Sequence, residues 1–179
     1  MATSLRSDTD RLVRLADRDL SRLWRLVAGG AAADEALHDL LPAIVREYGT
    51  LGAALAAEWY DDQRAKAGVS GRFTATPVEA DDRGAHALIG WALTKATDDA
   101  SLQSLILGGT QRRLADHVRY TVANNSVTDS AARGWQRVGS GSSCEFCSLL
   151  IGRLAVYSES SADFLSHDRC NCGAEPVFD

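Results

Sequence analysis

With 179 residues and a mass of 19.2 kDa, the chain is long enough for one well-filled core, or for a helical body carrying a small module, and short for two independent domains. Its 45% hydrophobic and 24% charged residues exclude a disordered chain. A net charge of -5, with no cationic run longer than Arg112-Arg113, offers no overall basic face, so direct contact with nucleic acid is not expected.

The opening residues MATSLRSDTDRL lack the apolar core of a signal peptide, and no stretch approaches the length of a membrane span. The expectation is a protein kept in a reducing cytoplasm, where clustered cysteines lean toward metal rather than disulfides. Leu12, Ala16, Leu20, Leu23 and Val27 recur at helical spacing behind a cap at Asp8 or Thr9, with Gly29-Gly30 as the stop. A second helix is predicted from Asp34 to Lys66. Its seam is Leu37, Leu41, Ile44, Tyr48, Leu51, Leu55 and Trp59, and Pro42 is expected to kink its early turns.

Residues 68–79, GVSGRFTATPVE, read as a connector with a short strand at Arg72 to Ala75. A third helix fits Ala80 to Thr97, with Ala85, Leu88, Ile89, Ala92 and Leu93 inward. A fourth fits Ser101 to Asn124, with Leu102, Leu105, Ile106, Leu114, Val118 and Val122 inward. Gly108-Gly109 interrupts it, at a cost of about 1 kcal/mol per glycine relative to alanine, so two helices in place of one are an alternative reading.

Beyond Asn124-Asn125 the pattern changes. GWQRVGSGSS reads as a short strand and a turn, RLAVY (153–157) as a strand, and AEPVF (174–178) as its pairing partner. The expected fold is mainly α, a helical body of four or five helices over residues 1–130. A Cys/His-rich module with short β-strands follows over 131–179. Joined by the GSGSS turn, the two parts are expected to unfold separately.

All four cysteines of the chain fall within CEFCSLLIGRLAVYSESSADFLSHDRCNC. Cys144 and Cys147 form one close pair, placed on a turn; His167, Cys170 and Cys172 supply a second group. Structural zinc takes four tetrahedral nitrogen or sulfur ligands from two such groups, so five candidates compete for four positions, and spacing does not choose among them. The plain alternative is buried, chemically silent cysteine. A catalytic alternative pairs Cys144 or Cys147 with His167, but no third member is evident, and the HExxH, GxSxG, GxxxxGK[ST] and GxGxxG patterns are absent. His38, His86 and His117 have no second ligand at helical spacing and read as solvated or core residues. Trp24, Trp59 and Trp91 read as packing residues.

The run GWQRVGSGSSCEFCSLLIGRLAVYSESSADFLSHDRCNCGAEPVFD resembles the C-terminal homology domain of phage Mu F-type minor head proteins, in the style of actinobacterial tailed phages. The likeness rests on CxxC, the LLIGRLAVY piece read as a strand, and the closing HxxCxC; Asp168 stands where many members have proline. The resemblance implies a head morphogenesis protein present in few copies, made in the host cytoplasm and carried into the virion, in the capsid interior or at the portal. Its implied partners are the portal, scaffold or major capsid protein, with no membrane. Cys144, Cys147, His167, Cys170 and Cys172 become signature positions of a small zinc-knuckle-like fold. Relatives are often labelled capsid maturation proteases, so proteolysis of scaffold or capsid protein is the alternative activity.

Overall fold

The computed structural model describes residues 3–27, 31–139, 143–159, 163–170 and 172–179. The order is α1 (Thr3–Val27), α2 (Ala31–Lys66), α3 (Arg83–Lys95), α4 (Asp99–Thr128), β1 (Ala132–Val138), α5 (Glu145–Gly152), β2 (Val156–Tyr157) and β3 (Gly173–Phe178). The fold is mainly α, as expected, with a small three-stranded sheet at its C-terminal end.

Helix α1 starts at Thr3, so Asp8 and Thr9 lie inside it rather than capping it, and the Thr9 hydroxyl donates back to the Leu5 carbonyl at 2.8 Å. Leu5, Val13, Ala16 and Leu20 are its buried residues; Leu12 and Leu23 are half-buried. The proposed Gly29-Gly30 stop and the Val27 side chain fall outside the described residues.

The seam of α2 follows Leu37, Leu41 and Val45, then passes to Ala53, Ala56, Ala57, Trp59 and Tyr60. Leu51, expected inward, is 46% exposed. The reason is a run of small residues facing α4. A Cβ on Gly49 would stand 2.8 Å from His117 Nδ1, and one on Gly52 would stand 3.0 Å from Val118 Cγ2, so backbone approach replaces leucine packing. Pro42 lies inside α2, which runs on past it to Lys66.

The connector after α2 contains no strand at 72–75. Side chains hold it instead. Asn125 on α4 donates to the Thr76 carbonyl and accepts from the Thr76 amide, both at 2.9 Å, while Asp61 accepts from the Ala75 amide at 2.9 Å. Buried Arg64 pairs with Asp129 at 2.9 Å and donates to the carbonyls of Val69, Ser70 and Gly71.

Helix α4 is one helix, opened by a capping box between Asp98 and Ser101. Gly108-Gly109 does not break it. A Cβ at Gly109 would collide with the Leu88 side chain of α3, so that glycine is where the two helices touch. Of the expected α3 residues, Ala85, Leu88, Ile89 and Ala92 are buried, and Trp91, read as a packing residue, is 43% exposed.

The sheet order is β2-β1-β3, all antiparallel. RLAVY therefore shrinks to a two-residue strand, and AEPVF pairs with β1 rather than with it. Trp135 accounts for this choice. It is fully buried at the centre of β1, stacked on Tyr157 with ring centroids 4.5 Å apart and opposite Pro176 in the register. Gly134, at φ +132°, sits at an irregularity in the pairing with β3, and a Cβ there would collide with the Tyr157 carbonyl of β2. The LLIGRLAVY piece read as a strand begins within α5.

One core cluster runs through both halves, joining Leu5, Trp59, Tyr60 and Val122 to Trp135, Phe164, Cys147 and Cys170. A second joins α1, α2, α3 and α4 around Leu41, Ile89 and Ile106.

Candidate metal centre

Cys144 is the N-cap of α5, and its sulfur accepts the Cys147 amide at 3.4 Å. One helical turn then carries Cys147 into the core, where it is 1% exposed. The pair therefore sits on a helix start, not on a free turn. The opposing group lies on the loop after residue 163 and the lead into β3. There Arg169, at φ +60°, bends the chain so that the Cys170 amide donates to the His167 carbonyl at 3.1 Å.

These pieces bring all five candidates together. His167 Nε2 lies 3.0 Å from Cys144 Sγ and 3.9 Å from Cys147 Sγ, and Cys147 Sγ lies 3.6 Å from Cys170 Sγ. The donors of Cys144, Cys147 and His167 all fall within 4.8 Å of one another, as do those of Cys147, Cys170 and Cys172. Cys147 belongs to both groups.

Tetrahedral zinc, with bonds of about 2.3 Å to sulfur and about 2.0 Å to nitrogen, spaces its sulfurs roughly 3.8 Å apart and a sulfur and nitrogen roughly 3.5 Å apart. The two sulfur–nitrogen contacts, 3.0 and 3.9 Å, lie on either side of that edge, and the sulfur–sulfur contact of 3.6 Å is close to its own. His167 Nδ1 donates to the Asp168 carbonyl at 2.8 Å, which fixes the ring and leaves Nε2 facing the sulfurs, the arrangement that ligating histidines adopt. The donor set is soft and its spacing compatible with zinc.

The thiols differ in their readiness to ionise. The Cys147 amide, followed by His167, holds Cys144 below the ordinary thiol value. Burial pushes Cys147 up. A hydrogen bond from Cys172 brings Cys170 down to about 4, with Arg119 adding to the effect, and the same contact together with burial raises Cys172. The Asp168 carbonyl and Cys144 raise His167.

Two buried arginines that the sequence reading passed over shape the centre. Arg119 of α4 donates to the Cys172 carbonyl at 2.8 Å, to the Cys170 carbonyl at 2.6 Å and to Asp116 at 2.7 Å. Arg137 of β1 donates to the Leu165 carbonyl at 2.8 Å, with one nitrogen 4.0 Å from Cys147 Sγ. Their guanidinium groups lie 5.1 Å and 3.8 Å from the centroid of the Phe164 ring, and Phe164 stacks on Trp135. Ser166 donates to Asp116 at 2.8 Å. The signal available in the sequence was a charged residue directly beside the Val118–Val122 stripe.

The remaining histidines stay apart from the centre. His38 and His86 are exposed and stack on each other with centroids 6.2 Å apart; His117 is half-buried and donates from Nδ1 to the Arg113 carbonyl at 2.7 Å.

Fold and centre together define a helix-rich protein with a C-terminal cysteine–histidine cluster suited to a soft metal ion. A family model described as VG15 protein matches residues 1–179, and the chain belongs to that family. This membership supports a phage-encoded protein. No curated protein and no solved structure gives a significant match. Among the described residues, no helix is long and apolar enough to cross a membrane.

Proposed function

We propose that this chain is an assembly protein of a tailed-phage head, a minor capsid protein of Mu F-like type. It associates with portal, scaffold or major capsid protein, and its C-terminal segment is stapled by one zinc ion. The observation that carries the reading is the gathering of Cys144, Cys147 and His167, and of Cys147, Cys170 and Cys172, into two donor groups that share Cys147, within a chain of the VG15 family. Bound zinc would contribute cross-linking rather than Lewis-acid chemistry, because four protein ligands leave no open position. The protein's own residues orient the donors: Asp168 through its carbonyl, Arg119 by fixing the backbone of both Cys170 and Cys172.

The test has two parts. Protein purified without chelator is expected to contain one zinc per chain by elemental analysis. Co-expressed with the portal of its phage, it is expected to co-purify with it. Zinc near zero in folded protein defeats the staple, and a chain that never enters portal, scaffold or capsid complexes defeats the assembly role.

One observation favours a second reading, capsid maturation proteolysis. Exposed Cys144 sits 3.0 Å from His167 at a helix N-terminus, a setting that favours thiolate. Cleavage of scaffold or capsid protein by the purified chain, lost in a folded Cys144→Ala variant, would promote this reading.

A further inference from the structure

The net charge of -5 averages over an uneven distribution. Six of the 19 cations and four of the 24 acids lie on α1, leaving 13 against 20 elsewhere. Arg11, Arg14, Arg18, Arg22 and Arg25 are all exposed. At about 100° per residue they fall within an arc of about 80°, along about 21 Å of helix. Asp8, Asp10, Asp17 and Asp19 lie outside that arc. Asp19 lies 3.9 Å from Arg22, and its carboxylate also accepts from the Tyr48 hydroxyl at 2.6 Å. The opposite face of α1 is spent on the core, through Leu5, Val13, Ala16 and Leu20.

Like charges three and four residues apart oppose helix formation, and here four successive pairs do so along one face. Nothing in the fold requires arginine at these solvent positions. Acids at helical spacing flank Arg11, Arg14 and Arg22, through Asp8, Asp10, Asp17 and Asp19, but Arg18 and Arg25 have none three or four residues away on α1.

We propose that this stripe is a binding surface for the phosphate backbone of duplex nucleic acid. The cations rise about 4.5 to 6 Å apart along the helix, and a duplex strand offers a phosphate every 3.4 Å of its axis, so each guanidinium has one within reach. The guanidinium fork pairs with phosphate oxygens in two parallel hydrogen bonds. A linear, regularly charged polymer matches a linear stripe better than the scattered carboxylates of a protein surface do. The arc between the arginines presents no amide side chain for reading bases, so binding is independent of sequence. The inference does not depend on the metal centre.

Fluorescence anisotropy of a labelled duplex, titrated with the full chain across a sodium chloride series, tests it. Expected are a dissociation constant of roughly 1–100 µM at physiological salt and a slope of about -4 in log K against log salt. The Arg14→Gln/Arg18→Gln/Arg22→Gln variant, with unchanged circular dichroism and melting, is expected to bind at least about tenfold more weakly and to lose about 3 from the slope. The charge-matched Arg72→Gln/Arg133→Gln/Arg153→Gln variant is expected to bind like the native chain. An unchanged slope in the first variant, equal losses in both, or no binding of duplex in low salt overturns the proposal. Capture of the native chain by polyglutamate without duplex binding also overturns it, in favour of an acidic protein partner.

Discussion

Arg119 stands on the buried face of α4, one residue from Val118, and spends its guanidinium on two backbone carbonyls and one carboxylate. Removing it strands the carbonyls of Cys170 and Cys172 in the core, and each unpartnered buried acceptor costs about 1–3 kcal/mol. Arg119→Met is therefore expected to lower stability by about 2–4 kcal/mol in chemical denaturation and to weaken zinc binding by about tenfold or more. Arg119→Lys is expected to rescue little, because one ammonium group cannot span both carbonyls as the planar fork does. Native-like zinc affinity in a folded Arg119→Met chain would show that the ligand loop holds its shape without α4.

At the scale of elements, glycine has two meanings in these helices. Gly90 is exposed on α3, and a Cβ there meets nothing within 4 Å; Gly90→Ala is expected to raise stability by about 1 kcal/mol through helix propensity. Gly109→Ala carries the same propensity gain, but its methyl would collide with buried Leu88. Overpacking costs about 1–3 kcal/mol, so the net sign reverses. Thermal melts of the two variants are expected to move in opposite directions. Equal stabilisation would mean that α3 shifts away from α4 at no cost.

At the scale of the molecule, Cys147, Cys170 and Cys172 share one cluster with Trp59, Tyr60 and Val122 of α2 and α4. Chelation of the metal is therefore expected to lower the melting midpoint of the whole chain in a single transition. Each kcal/mol corresponds to about 2–4 °C at this chain length, and helix circular dichroism should move together with amide protection in β1. Two separate transitions would instead reveal an autonomous module. Acid acts on the body as well. Burial lowers the pKa of His117 from its ordinary value near 6.5, so the folded state binds that proton less readily than the unfolded one. The corresponding stability is full above about pH 6.5 and is lost as pH falls through the lowered value. Melts of His117→Asn should show a flatter dependence below pH 6.5 than the native chain.

Local chemistry made a large part of this protein legible from its residues. Apolar spacing marked four helices of the body, because burial on one side imposes a 3.6-residue period whatever the partner, and the cysteine and histidine positions marked the centre because no other residues offer such donors at such spacing. The tertiary structure decided what period and spacing leave open. It turned α2 about its small residues, exposed Leu51 and joined Gly109 to Leu88, since close backbone approach is invisible in a hydrophobicity pattern. It paired β3 with β1 through the burial of Trp135. It also set Arg119 against Cys170 and Cys172, more than fifty residues along the chain, a contact between distant segments that only the folding of α4 against the loop creates.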